Sequence, residues 1–244
     1  MNNQDANVKD TVFAEKKETY WRFLFGYSIF AILFWFIEFL LQYYWISNGE
    51  AGISLVRSFS FSGATLIGLA LFSSSVFRWI PSTAAYWRIR RYLGVSGFIF
   101  ALLHVVSAYR TVFDFDLKSI YFSFNPLINP IIFGSIAFPI LMIMTMTSTD
   151  WVVEKLTYKT WKNIHRLVYI AYISVIFHFL LINPGLLVNV PGYILILVTI
   201  MAVFGQLFWF LKISKRNRFK SKGFFIGIIL ITITFILTYL AFVK

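Results

Sequence analysis

The stretch IHRLVYIAYISVIFHF, residues 164–179, sets two of the chain's three histidines, His165 and His178, inside an otherwise apolar run. Extended to Trp161 and Ile182, the run reads as one helix long enough to cross a hydrocarbon core of roughly 30 Å, which takes about 20 helical residues. Working outward, six more such runs appear: Trp21–Ile46, Phe59–Ile80, Tyr92–Phe113, Leu127–Thr147, Gly192–Leu211 and Gly223–Val243. Short loops join them. Composition agrees, because 59% hydrophobic and only 13% charged residues is too apolar for a soluble domain. The expected class is an all-α integral membrane protein, a polytopic bundle of six core spans with a seventh apolar run at the carboxyl end.

The expected organisation is a polar segment over 1–20, a transmembrane domain over 21–212, and a basic loop with one more helix over 213–244. The first segment, MNNQDANVKDTVFAEKKETY, lacks the short basic region and cleavage site of a removable signal peptide, so the first span is expected to stay as an anchor. The net charge of +12 invites a nucleic-acid reading, but the cations are sorted by loop. Arg78, Arg88, Arg90 and Arg91 follow the second run. Lys155, Lys159, Lys162 and Arg166 surround the start of the fifth. Lys212, Lys215, Arg216, Arg218, Lys220 and Lys222 follow the sixth. Alternate loops are poor in them, which by the positive-inside rule puts the amino terminus in the cytoplasm of a multi-pass protein in the cytoplasmic (inner) membrane. Lipid is then the expected surrounding, with no nucleic-acid partner.

The chain has no cysteine, which removes disulfides, thiolate-held clusters and covalent c-type haem and makes histidine the first candidate ligand. All three histidines, His104, His165 and His178, fall in spanning runs, where ionisable residues are costly and usually face the bundle interior. The bland alternative is a neutral imidazole bonded to a neighbouring helix. Depth discriminates. The third and fifth runs point the same way, and at 1.5 Å per residue from Tyr92 and Trp161, His104 lies about 18 Å deep, His178 about 25 Å and His165 about 6 Å. His104 and His178 are therefore a candidate pair of axial ligands to one porphyrin iron, with His165 at a second, inner level. Small residues at helical spacing, Gly94, Gly97, Ala101 and Ala108 around His104, and Ala171 and Ser174 before His178, leave room for a flat ligand or for close helix packing. On an ideal helix His165 and His178 project about 140° apart. Either two cofactor levels are rotated, or the helix is irregular, or only one histidine ligates.

RRYLGVSGFIFALLHVVSAY (90–109), TSTDW (147–151) and WKNIHRLVYIAYISVIFHFL (161–180) resemble the ferric reductase-like transmembrane domain family, and within it the MsrQ-type haem subunits that feed electrons to a methionine sulfoxide reductase. The resemblance implies a b-type cytochrome carrying electrons across the membrane. It implies haem b, one or two per chain, with His104, His165 and His178 as iron ligands. In larger relatives a second histidine on the third helix completes the inner haem; here Arg90 and Arg91 stand in its place. An arginine fork suits haem propionates or the phosphate of FMN or another flavin, so Arg90, Arg91 and the neighbouring Arg166 are candidate cofactor contacts; lipid headgroups are the other reading. The dehydrogenase domain of the larger relatives is expected to have no counterpart here, since no G-x-G-x-x-G motif is present in these residues. The expected partners are a cytoplasmic flavin reductase or dehydrogenase as donor, with quinol as an alternative, and an extracytoplasmic reductase subunit as acceptor. Direct ferric chelate reduction and a haem-free transporter or scaffold are the competing functions.

Other features have plainer readings. Met142, Met144 and Met146 read as packing rather than haem ligands. Glu38, about 25 Å along the first run, is expected at the outer interface in contact with water. Asp150 and Trp151 read as a helix cap and an interface anchor, with a flavin or partner contact as the alternative. The many aromatic residues read as lipid-facing bulk and interfacial anchors.

Overall fold

The computed structural model describes residues 24–216, and the element order there is helical throughout, with no strand among the described residues. The elements are α1 (Leu24–Ile46), α2 (Ala51–Trp79), α3 (Trp87–Thr111), a short α4 (Leu117–Ile120), α5 (Ile131–Met146), α6 (Asp150–Lys155), α7 (Tyr158–Arg166), α8 (Val168–Ile182) and α9 (Val190–Arg216). Among the described residues, five helical segments are long and apolar enough to cross a membrane: α1, α2, α3, the α7–α8 pair over Lys159–Ile182, and Val190–Phe208 of α9. The protein is thus an all-α polytopic membrane protein. The fourth expected run is a helix of 16 residues, starting four residues later than expected, because Pro126 and Pro130 hold the preceding chain out of helix. The seventh run, Gly223–Val243, and the amino-terminal segment 1–20 lie outside the described residues.

The central element is α2, two-thirds of whose most apolar window is buried against 11% for α1. Its sequence explains this. SFSFSGATLIGLALFSSS supplies small side chains for close approach, and several of its serines return their hydroxyl protons to their own helix, among them Ser58 to Leu55 O, Ser60 to Arg57 O and Ser74 to Leu71 O. The same back-bonding lets α2 start at Ala51 rather than at Phe59: Ser54 bonds Glu50 O and Arg57 bonds Ser47 Oγ, so polar residues join the helix satisfied.

α3 packs along one side of α2 and α9 along another, while α5 packs against α8. At the α2–α8–α9 junction, a Cβ on Gly68 would overlap Tyr172 Oη and Val198, and Tyr172 and Thr199 share a hydrogen bond at 2.9 Å. Gln206 of α9 donates to Leu71 O and to Ser74 Oγ, and accepts from Tyr169 and Arg78. Exposed aromatics ring both ends of the bundle, Tyr44 and Trp45 at one and Trp79, Trp87 and Trp151 at the other, as interfacial anchors do. α3 touches α5 far less than it touches α2, so a seam remains between α3 and the α5–α8 pair. The candidate site lies in it.

Candidate functional site

The fifth run is not one regular helix. Leu167 separates α7 from α8, its N–H reaching Ile164 O in a tightened turn. The helix is irregular between His165 and His178, one of the three conditions that their angular separation on an ideal helix left open. His165 sits in the charged, amphipathic α7 and His178 in the apolar α8, so the break falls where polar chain meets hydrocarbon.

His104 of α3 and His178 of α8 face each other across the seam, their ring centroids 6.2 Å apart and their planes inclined at 75°. Each is tied by its Nδ1. His104 Nδ1 bonds Val56 O of α2 at 3.0 Å, and His178 Nδ1 bonds Pro130 O at the start of α5 at 3.1 Å. A carbonyl oxygen only accepts, so Nδ1 carries the proton in both rings and Nε2 carries the lone pair. A carbonyl behind Nδ1 is the outer-shell arrangement that orients a metal-binding imidazole and raises its basicity. The spacing also fits. With metal–nitrogen bonds of about 2 Å, and about 1.1 Å from each nitrogen to its ring centroid, two imidazoles flanking one ion have centroids about 6 Å apart. Among the described residues no group of three or more His, Cys, Asp or Glu side chains gathers as a protein-only metal shell. His104 and His178 would hold a metal ion only together with another group that supplied its remaining ligands, as a macrocycle would.

Two features around these histidines were not legible in the sequence. Gly134 lies flat against the His178 ring, 3.4 Å from where its Cβ would stand. Asn129, fully buried, donates to Ile120 O and Ser123 O and accepts from the Ile131 N–H. It thereby fixes the loop that delivers the Pro130 carbonyl. The only sequence signal was an asparagine between two prolines in NPLINP. The small stripe on α3 divides by use: Gly97 and Ala101 pack against Gly63 of α2, whereas Gly94 faces open space.

That space is a pocket at the other level of the seam, lined by Arg90, Arg91, Gly94, Ser148 and His165 over apolar walls from Leu71 and Leu141. Here both ring nitrogens of His165 are engaged, Nδ1 with Trp161 O at 3.1 Å and Nε2 with Ser148 Oγ at 3.2 Å, and Trp161 stacks on the ring. Arg91 forms an ion pair with Asp150 at the start of α6. The structure thus brings Arg90, Arg91 and His165 together. Arg166 stands apart, exposed and bonded to Asn163.

Glu38 departs from expectation. It is 1% exposed, facing the α1–α2 seam rather than interfacial water. The opposite side of α1, with Phe36 and Ile37, is the exposed one.

The chain was compared with known proteins. It is 32% identical over 104 residues to the protein-methionine-sulfoxide reductase heme-binding subunit MsrQ of Herminiimonas arsenicoxydans, covering 40% of this chain and 44% of that protein. It is 34% identical over 95 residues to the MsrQ of Brucella ovis, covering 38% and 42%. It is 32% identical over 139 residues to the magnetosome protein MamZ of Magnetospirillum gryphiswaldense, covering 55% and 21%. The chain spans less than half the length of each of these relatives. The family described as ferric reductase like transmembrane component matches residues 54–176, from α2 into α8, taking in His104 and His165 and ending two residues before His178. By that match over half its length, the chain belongs to the ferric reductase-like transmembrane component family.

Proposed function

We propose that this protein is a transmembrane b-type cytochrome that passes electrons one at a time between a donor on one side of the cytoplasmic membrane and an acceptor on the other. The observation that carries this reading is the His104–His178 pair, 6.2 Å apart with both Nδ1 atoms committed to carbonyls. Haem b bound between them would supply one-electron chemistry. The chain supplies placement: α2 and the α3–α5 loop orient the two rings, and the apolar seam keeps water from the site.

At the inner level, Arg90 and Arg91 supply cationic forks for anionic groups, either the propionates of a haem or the phosphate of a flavin such as FMN. His165 has no histidine opposite it on α3, so one bis-histidine haem is the reading favoured, with a second haem or a flavin in the inner pocket dependent on these arginines. The proposed donor is a cytoplasmic reduced flavin or flavin reductase. The relatives named as MsrQ support an extracytoplasmic methionine sulfoxide reductase as the acceptor. The orientation follows from the cations of the α2–α3 and α6–α7 regions, with the amino terminus cytoplasmic.

The test is a dithionite-reduced minus oxidised absorption spectrum of the purified protein with haem quantified per chain. Mixing the reduced protein with a methionine sulfoxide reductase then tests the acceptor, through the rate of haem reoxidation. Reoxidation by ferric chelates but not by the reductase would favour ferric reduction instead.

A further inference from the structure

Between α1 and α2 lies a group of buried polar atoms that the electron-transfer reading does not use. Trp35 Nε1 donates to Ser58 Oγ at 3.2 Å and its ring stacks on Phe59, which fixes the register of the two antiparallel helices. One turn further toward the α1–α2 loop stands Glu38, and one turn beyond it Gln42, both on the buried side of α1. Glu38 is 1% exposed and its Oε2 has no hydrogen-bond partner; Gln42 is fully buried, and neither atom of its amide has one. The nearby hydroxyl of Ser54 is spent on Glu50 O, and that of Ser58 donates to Leu55 O.

A buried carboxyl oxygen and a buried amide left without partners stabilise nothing; a leucine at either position would cost far less. Beyond Gln42 the helix opens into a π turn, Gln42–Ile46, in which the Ser47 N–H reaches Gln42 O at 2.8 Å. Such turns recur at functional sites. Ser47 Oγ in turn receives the guanidinium of Arg57 at 3.1 Å. Polar groups thus run from Glu38 through Gln42 to Ser47 and Arg57 at the loop. Val56, whose carbonyl holds His104, lies on the same stretch of α2. The titratable and charged groups at this end of the bundle are Tyr43 and Tyr44 on α1, Glu50 and Arg57 on α2, His104, Tyr109 and Arg110 on α3, Asp114, Asp116, Lys118 and Tyr121 in and around α4, and His178 on α8. No described residue forms a hydrogen bond or ion pair with the Glu38 carboxyl oxygen Oε2.

We propose that Glu38 is a redox-linked proton site: its carboxylate takes one proton from water at the α1–α2 loop when one electron enters the bundle at the His104–His178 centre, and returns it when the electron leaves. The step balances. A one-electron reductant supplies the electron, water at the loop supplies the proton, an O–H bond forms on Glu38, and the net charge of the bundle does not change. In a low-dielectric interior an uncompensated electron is costly, so a buried protonatable group with an unpartnered oxygen is suited to this role. The inference rests on the haem reading above.

The test is a spectroelectrochemical titration of the full-length holoprotein in detergent across a pH series, with haem per chain measured on every sample. For the wild type, the midpoint potential falls with rising pH over part of the range, approaching about 59 mV per tenfold change in proton concentration, the conversion for a one-electron couple. Glu38→Gln retains haem and flattens that limb. Glu38→Asp retains it at a displaced pH, which keeps the idea testable if the glutamine variant does not fold. Reduction-induced infrared difference spectra show a protonated carboxyl signal in the wild type that Glu38→Gln lacks. A pH-independent wild type, the same slope in wild type and Glu38→Gln, or no carboxyl change in the wild-type infrared spectrum overturns the proposal while leaving the haem reading in place. Wild-type protein without haem overturns both.

Discussion

Gly63 of α2 and Gly97 of α3 cross with no side chain between them: a Cβ on either would stand 3.0 Å from the carbonyl oxygen of the other. From this crossing, about two turns along each antiparallel helix in the same direction, stand Val56 and His104, the carbonyl and the imidazole it holds. The glycine pair therefore sets the helix separation that the His104 tether requires.

Gly97→Leu forces the two helices apart and costs about 1–3 kcal/mol of stability, as overpacking of a tight contact does. The expected outcome is a lower melting temperature together with substoichiometric haem, because His104 moves away from Val56 O. Thermal unfolding and haem per chain, measured on the same preparation, check it; unchanged haem would mean that the crossing does not govern the site.

Asn129→Ala removes three hydrogen bonds from the loop that carries Pro130. Unpaired Ile120 and Ser123 carbonyls cost about 1–3 kcal/mol. With its tether loosened, His178 becomes less basic, and the absorption bands and midpoint potential shift while Gly134 still packs against the ring. A wild-type spectrum and potential in a destabilised protein would make Asn129 purely structural.

Gln206→Leu severs the join among α2, α8 and α9, leaving the Leu71 carbonyl and Tyr169 hydroxyl without this partner. It lowers stability by about 1–3 kcal/mol with little change in the spectrum of the His104–His178 centre, since the network lies at the other level of the bundle, beside Leu71, Ser74 and Arg78. Calorimetry or thermal scanning with a parallel spectrum reads both parts.

Asp150→Asn removes the ion pair with Arg91, but the Asp150 side chain is 74% exposed, so stability changes by no more than about 1 kcal/mol. Arg91→Ala acts on the pocket instead. It weakens whatever anionic group occupies the inner level, read as a loss of flavin or of the second of two haem signals. Equal effects from the two substitutions would assign both residues to the ion pair alone.

The apolar runs that became α1, α2, α3, α8 and α9 were legible because hydrocarbon imposes one requirement on about 20 consecutive residues. The level shared by His104 and His178 was legible too, since helical rise converts sequence position into depth. What failed was local. The start of α2 was missed because back-bonded serines look polar in a hydropathy window yet sit satisfied in a helix. The late start of α5 and the Pro130 tether depend on a loop whose key hydrogen bonds come from Asn129, with no periodic signature. The burial of Glu38 was missed because depth along a helix says nothing about which face meets a neighbour. The break at Leu167 was legible only as a conflict, the 140° between His165 and His178 on an ideal helix, for which an irregular helix was one of three readings.

His165→Ala distinguishes the two levels. Because its ring nitrogens are engaged by Trp161 O and Ser148 Oγ and no histidine faces it from α3, its loss leaves the main haem signal and alters at most a second one. Total loss equal to that of His104→Ala would argue for one shared site.

The most direct test is the reduced-minus-oxidised spectrum, with haem per chain, of the wild type, His104→Ala and His178→Ala. The account predicts b-type bis-histidine bands in the wild type and loss of the main haem signal in each variant. Full haem retained in both variants, or a wild type that stays haem-free after reconstitution, would contradict it.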